Sequence, residues 1–129
     1  MGNMDFTRLT FSMDTWPLKR RDLTLFPAER RVVCESRSEA GVRHAEHRFS
    51  DAEWQKIAAL LAVCNFAAWS ERYEQPMLDG TVWHLELLGA DGQVRKSDGL
   101  NAYPDEWRSF RKFCDSCAES VGFEPDEQA

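Results

Sequence analysis

The stretch FSDAEWQKIAALL, residues 49–61, changes the period of the hydrophobic pattern from two to about 3.6 and thereby decides the fold class. Ser50 is followed three residues later by Glu53, which is the capping-box signature of a helix start. Phe49 and Trp54 are spaced to form the hydrophobic staple that accompanies such a box. These local signals predict that a helix begins at residue 50.

The apolar residues of this segment follow 3–4 spacing, which is typical of a helix with one face in a core. They are Trp54, Ile57, Leu61, Cys64 and Ala68. The loop-forming run EQPMLDG comes only after this pattern ends. The sequence therefore predicts one long helix over residues 50–75.

Residues 1–49 show the strand period instead. In TRLTFSM, Leu9, Phe11 and Met13 alternate with polar residues, which indicates a half-buried strand. The runs LTLF and RRVVCES read as two strand pieces, or as one strand interrupted at Pro27, and VRHAEHRF returns after a Gly-containing loop. Because these runs are close together, they predict an antiparallel meander of three or four strands.

A hairpin and a second helix follow the first helix. The run TVWHLELL alternates again, and Asp91-Gly92 suits a tight turn with positive φ at both central residues, which predicts a hairpin over residues 81–97. A second 3–4 stripe predicts a helix over residues 104–121, before an acidic tail at 123–129. Its members are Trp107, Phe110, Cys114, Cys117 and Val121.

These elements predict a single α+β domain over residues 1–129. An antiparallel sheet of about five strands, joined by short hairpins, would carry both amphipathic helices on one face. The element order would be three or four strands, a helix, two strands and a helix.

Charge and hydropathy narrow the partner classes. The net charge is −6, but residues 1–48 hold nine Lys/Arg against seven Asp/Glu, and residues 49–129 hold seven against fifteen. The acidic balance and the lack of a nucleic-acid motif argue against nucleic acid, although the arginine cluster in residues 1–48 leaves a basic binding face open. The longest apolar run, Ile57 to Val63, is far too short to span a bilayer, and MGNMDF lacks a signal-peptide core. We expect a cytoplasmic protein that does not enter membranes, as a monomer or homodimer.

The cysteines do not predict a metal site or a cofactor. Cys114 and Cys117 form CDSC, but no second C-x-x-C is present to complete a zinc site. His44 and His47 lie three apart on a predicted strand and therefore point to opposite faces. Cys114 and Cys117 also fall on the apolar stripe of a helix, where thiols pack as small hydrophobes. We expect buried, reduced thiols.

The segment SDGLNAYPDEW, residues 97–107, allows two interpretations. As a structural joint, Asn101 satisfies main-chain donors, Tyr103 lays its ring on the sheet, and Pro104 begins the helix. On this interpretation Tyr103→Ala would cost about 3 kcal/mol. As a binding loop, Ser97, Gly99, Asn101 and nearby helix N–H groups would form an anion pocket. The surrounding acidic residues favour the joint.

His84 supplies the one acid–base arrangement that the sequence suggests. His84 and Glu86 lie two apart on a strand and share a face, with Asp79 near in sequence. The chain has no nucleophile-elbow, phosphate-loop or zinc-helix motif beside them. An exposed pair of this kind is usually structural, so catalysis is the alternative hypothesis.

A resemblance covers about the last half of the chain. Trp69 and Tyr73, the run DGTVWHLEL (79–87), the DG turn and the pattern S-x-G-x-N-A-Y-P-x-x-W-x-x-F (97–110) resemble a group of small bacterial proteins. In that group a DG-x-x-W strand precedes a G-x-N-A-Y-P segment and a C-terminal helix. The resemblance implies this arrangement but no activity, because none is established for the group.

Taken together, these patterns predict a non-catalytic protein-interaction or regulatory module whose partner is another protein. The alternatives are a small-molecule-binding domain, a minor enzyme that uses His84 and Glu86, and a phage or mobile-element inhibitor of a host protein. The residues predicted for binding are Ser97, His84, Asn101 and Tyr103.

Overall fold

A computed structural model describes residues 6–15, 19–75 and 80–123. In these ranges the chain is α+β, with one mixed sheet of seven strands in the order β4-β3-β2-β1-β6-β7-β5 and two α-helices. The strands are β1 (Phe6–Thr15), β2 (Lys19–Phe26), β3 (Arg31–Ser38), β4 (Gly41–Arg48), β5 (Arg72–Glu74), β6 (Thr81–Gly89) and β7 (Val94–Leu100). The helices are α1 (Asp51–Ala62) and α2 (Trp107–Ser120), and short 3₁₀ turns lie at Pro27–Glu29 and Phe66–Ala68.

The sheet has one covered and one open face because side chains alternate along every strand. Cross-strand pairing places Phe11 opposite both Leu23 and Leu85, and these residues belong to the buried core. Phe110 of α2 packs edge-on against Phe11, at 4.8 Å between ring centroids. Helix α1 contributes Ile57 and Leu61 to the same core cluster, so we call this side the helix face. The opposite side, which carries Thr10, His84 and Glu86, is the open face.

The predicted α+β class is correct, but the prediction of about five antiparallel strands is wrong. Four strands form the N-terminal meander, because LTLF and RRVVCES are separate antiparallel strands joined by the 3₁₀ turn at Pro27. The short strand β5, which the sequence did not predict, pairs with β7 in the parallel direction. A strand of three residues is too short to produce a periodic pattern, so the sequence does not reveal it.

The start of α1 is confirmed and its predicted end is wrong. The side chain of Ser50 accepts from the main chain of Glu53, whose carboxylate accepts from the Ser50 N–H in return. This bond and a contact from His47 lower the pKa of Glu53. The staple is also present, with the rings of Phe49 and Trp54 6.1 Å apart.

Helix α1 ends at Ala62 rather than at residue 75 because the chain reverses at Asn65. Asn65 has φ 52°, a left-handed conformation that a helix interior does not allow. The indole of Trp69 then folds back, and its Nε1 donates to the Cys64 carbonyl at 2.8 Å. The apolar spacing therefore continues past the helix, with Ala68 exposed and Trp69 buried.

The second half follows the predicted order with shifted boundaries. Strand β7 continues to Leu100, so the first residues of the 97–107 segment belong to the sheet. Helix α2 begins at Trp107, whose N–H donates to the Pro104 carbonyl. Phe123 is 4% exposed and belongs to the core rather than to an acidic tail. The remainder of the predicted tail lies outside the described residues.

The four thiols are buried, as predicted for Cys114 and Cys117. Burial raises the pKa of Cys34 and of Cys64 to about 12, and raises those of Cys114 and Cys117 as well. Neutral thiols are poor nucleophiles and poor metal ligands. Within the described ranges, no three His, Cys, Asp or Glu side chains are grouped in a way that would hold a metal ion.

Candidate functional site

Asn101 fastens the end of β7 to the beginning of β6. Its main-chain N–H donates to the Thr81 carbonyl at 3.0 Å, and its Oδ1 accepts from the Thr81 N–H at 2.8 Å. The residue has φ 56°, which asparagine tolerates better than other residues with a side chain. A Cβ at Gly80 would lie 1.8 Å from this Oδ1, so the contact also requires glycine there. The Asn101 side chain therefore has a structural role, because its hydrogen bond links the end of β7 to the start of β6.

Asn101→Ala is expected to lower the free energy of unfolding by about 2 kcal/mol. About 1 kcal/mol comes from the lost bond to Thr81 and about 1 kcal/mol from alanine in the left-handed region. Asn101→Gly lacks the acceptor but adopts positive φ freely, so it should lose only about 1 kcal/mol. Chemical denaturation measures both. If Asn101→Ala were as stable as the parent, the structural role would be wrong.

The other predicted binding residues do not form one pocket with Asn101. Ser97 is 4% exposed on the helix face, and its Oγ donates to the Ser70 carbonyl at 2.5 Å. His84 lies on the open face, since its strand neighbour Leu85 pairs with Ser97. The Tyr103 ring stacks on Trp107 at 4.8 Å rather than on the sheet, and the residue is 41% exposed. The structure therefore does not bring these four residues together.

On the open face, His84 pairs with Asp98 and not with Glu86. The distance from His84 Nδ1 to Asp98 Oδ1 is 2.5 Å, whereas the Glu86 carboxylate lies 3.9 Å from Arg8 and 3.8 Å from Lys96. Asp79 lies outside the described residues. The sequence missed Asp98 because only Gly92 has positive φ in the hairpin turn, whose loop is one residue longer than predicted. A two-residue turn at Asp91-Gly92 would pair His84 with Gly99, and the longer loop pairs it with Asp98 instead.

Ser12, His84 and Asp98 form a row across β1, β6 and β7, in a shallow hollow of about 270 Å³. These residue types are the set used by serine hydrolases. Acyl transfer also needs N–H donors aimed at the developing oxyanion. At this row β1 and β6 are interior strands, and the Asp98 N–H donates to the Glu71 carbonyl. The main-chain N–H groups beside the row are therefore already hydrogen-bonded and do not point at a developing oxyanion. The arrangement is that of a surface His–Asp hydrogen bond with Ser12 on the adjacent strand.

A larger concave feature lies elsewhere, between the β6–β7 hairpin and the segment 66–71. It has a volume of about 720 Å³, within the range of ligand-binding sites, and we call it the hairpin cleft. Its floor is apolar and largely aromatic, whereas its rim carries both charges. The floor residues are Phe6, Phe66, Trp69 and Leu87, and the charged rim residues are Glu71, Asp91, Arg95 and Lys96.

The wall of the hairpin cleft is held in place from beneath β7. Arg95 projects from β7 on the helix face, where its guanidinium donates to the carbonyls of Ala67, at 2.7 Å, and Trp69, at 3.3 Å. Phe66 and Trp69 pack edge-on at 5.0 Å. These contacts position residues 66–70 on the helix face rather than beside residues 94–96 of β7, which leaves that part of the β7 edge uncovered by the described residues.

The outer edge of β7 is paired at residues 98–100 and unpaired at residues 94–96 within the described part of the chain. Asp98 donates its N–H to Glu71 and Leu100 accepts from Gln75, so even-numbered residues of β7 point their main-chain groups away from β6. By the alternation of a strand, the groups of Val94 and Lys96 point the same way. Strand β5 pairs only with residues 98–100. Within the described part of the chain, no main-chain partner covers Val94 or Lys96 on this side.

The sequence did not predict the hairpin cleft because one of its walls, the segment 66–71, falls inside the predicted long helix. The signal that could have revealed this wall is the asparagine at position 65. Among residues with a side chain, asparagine is one that adopts positive φ routinely, and Asn65 does so here.

No protein-family model matches the chain, and no curated protein shows significant sequence similarity to it. The resemblance of residues 69–110 to a group of small bacterial proteins stays a prediction. No described helix has the length and apolar character needed to cross a membrane.

Proposed function

We propose that this chain is a non-catalytic protein-interaction module that binds an extended segment of a partner protein in the hairpin cleft. The segment adds to the sheet as a strand beside residues 94–96, in line with β5. The observation that carries this proposal is the free main-chain edge of Val94 and Lys96, which borders an apolar cleft. Strand addition uses such an edge for affinity and a neighbouring pocket for specificity.

The expected binding energy is modest. Val94 and Lys96 offer about four main-chain bonds together, each worth about 1 kcal/mol net. An apolar side chain that reaches Phe66 and Leu87 adds about 1.5–3 kcal/mol. Association costs several kcal/mol in lost freedom, so the complex should form and dissociate reversibly. Reversible binding suits a regulatory partner.

The chemistry of the partner segment follows from the two sides of the added strand. Alternate side chains would point to the cleft floor, where Phe6, Phe66 and Leu87 favour an aromatic or branched apolar residue. The side chains between them would point to the open face, near Lys96 and Glu86, and would be polar. A small apolar molecule would use the floor alone and would leave the β7 edge without a role.

Lys96→Pro tests strand addition directly, and we expect it to weaken binding at least about tenfold. Proline removes an N–H that the domain itself leaves unpaired, so the fold should persist. Peptides would be selected from a random displayed library against the parent, and their affinities measured by fluorescence polarisation. Ala67→Trp, which fills the cleft from an exposed position, should abolish the same binding.

His44→Pro is the matched control, because it places the same substitution at an outward-pointing position on β4, the opposite edge of the sheet. It should leave peptide binding unchanged. Selected peptides that bind the Lys96→Pro and Ala67→Trp proteins as tightly as the parent would refute the proposal. Ligands that lose affinity only to Ala67→Trp would instead favour a small-molecule site.

A further inference from the structure

The edge at the other end of the sheet, β4, is long and exposed. Its eight residues, GVRHAEHR, contain no proline, and no described strand pairs with its outer side. Val42 is 62% exposed, which is the largest value among the large hydrophobic residues that the structure describes. An edge strand of this length can pair with another strand unless charge opposes it. The identity of a compatible strand therefore depends on the charge pattern of β4.

One hydrogen bond shows which main-chain N–H and C=O groups of β4 point away from β3. The Phe49 N–H donates to the Arg30 carbonyl at 2.7 Å, so odd-numbered residues direct their main chain toward β3. The even-numbered residues Val42, His44, Glu46 and Arg48 therefore point their main-chain groups outward. Their side chains also share the open face, since His44 pairs with Glu35 and Glu46 with Val33.

We infer that β4 pairs with β4 of a second copy of this chain, antiparallel, about a two-fold axis through Ala45. In this register His44 of each copy faces Glu46 of the other, and Val42 faces Arg48. The four outward-pointing residues of each copy supply about eight main-chain bonds in total. The two seven-stranded sheets join into one continuous sheet with the helices of both copies on the same side.

Charge selects this register and this partner. Moving the axis to residue 46 places Glu46 opposite Glu46 and His44 opposite Arg48, which are like-charged or unfavourable pairs. Moving it to residue 44 places His44 opposite His44 and leaves Glu46 facing Val42. An axis through His47 also places Glu46 opposite Arg48, but it pairs only two outward-pointing residues of each β4 strand. The axis through Ala45 gives both Glu46 side chains a complementary partner and pairs all four outward-pointing residues. Charge and the number of main-chain bonds together therefore favour the axis through Ala45.

The helix-face side chains of β4 are compatible with this pairing. Arg43 and His47 face each other across the two copies, but each is already engaged within its own chain. The Arg43 guanidinium lies over the Phe123 ring at 4.6 Å, and His47 Nε2 lies 3.1 Å from Glu53 Oε1. These contacts draw both side chains toward the core of their own copy and away from the new strand boundary.

Sedimentation velocity over a concentration series tests the inference with the full chain. The parent should move from monomer to dimer with increasing concentration, and His44→Pro should raise the dissociation constant at least about tenfold. Because the His44 N–H points outward, proline removes no bond to β3, and the melting temperature should stay close to that of the parent. Lys96→Pro, at the opposite edge, should still dimerise.

A charge exchange tests the register. His44→Glu and Glu46→Lys should each weaken the dimer, because each removes the complementary pair. The double variant carries both substitutions, so that a carboxylate at position 44 faces an ammonium at position 46, and it should restore the dissociation constant of the parent. A parent that stays monomeric at every concentration would overturn the inference, as would a dimer that His44→Pro leaves intact. Failure of the double variant to restore pairing would overturn the axis through Ala45.

Discussion

Trp83→Ala is expected to lower the free energy of unfolding by about 3–5 kcal/mol, the range for deleting a large buried aromatic residue. Trp83 is fully buried at the centre of an aromatic cluster, with ring centroids 4.9 Å from Trp107 and 5.9 Å from both Trp69 and Tyr73. Its Nε1 also donates to the Ala102 carbonyl at 3.0 Å. Alanine leaves a cavity and removes this bond.

Urea denaturation monitored by circular dichroism measures the loss. The matched control is Tyr103→Ala, which removes another ring of the same stack. Because Tyr103 is 41% exposed and rests on Trp107 alone among the stacked rings, we expect a cost of about 1 kcal/mol rather than the 3 kcal/mol predicted from sequence. Equal losses for the two variants would show that Trp83 does not anchor the cluster.

Gly99→Ala is expected to cost about 3 kcal/mol, although alanine is normally the better residue in a strand. Gly99 lies opposite Trp83 in the sheet, and a Cβ there would lie 1.9 Å from Trp83 Nε1 and 2.1 Å from Cε2. The indole cannot move away because Trp69, Trp107 and Tyr73 surround it. Thermal or urea unfolding of the purified variant measures the cost.

A double-mutant cycle identifies the cause of this cost. In the Trp83→Ala background the obstructing ring is absent, so Gly99→Ala should cost less than about 1 kcal/mol. The coupling between the two positions would then be about 2 kcal/mol. An unchanged cost in both backgrounds would place the strain in the backbone of β7 rather than against the indole.

Local patterns in the sequence were reliable where neighbouring residues decide the structure. The capping box of Ser50 and Glu53 involves residues three apart, and it marked the start of α1 correctly. The alternation through Trp83, Leu85 and Leu87 identified β6 and its buried face. These features depend on backbone period and side-chain direction, which a short stretch of sequence contains.

Predictions failed where a distant residue decides the structure. The apolar spacing of α1 continues to Cys64 and Ala68, but the helix ends because the chain reverses at Asn65, after which the Trp69 indole bonds back to the Cys64 carbonyl. The partner of His84 depends on the length of the hairpin loop, and one additional residue replaced Gly99 with Asp98. A small local difference therefore moved the candidate acid–base pair.

The sequence by itself determined the α+β class, most of the elements and the face that each one buries, because period and capping are properties of adjacent residues. Only the tertiary structure decided the parallel pairing of β5, the free edge of β7 and the hairpin cleft. These depend on where the segment 66–71 passes, and Arg95 and Ser97 hold that segment by bonds to main-chain carbonyls. Main-chain carbonyls are the same in every residue, so no pattern of side chains indicates which of them will be bound.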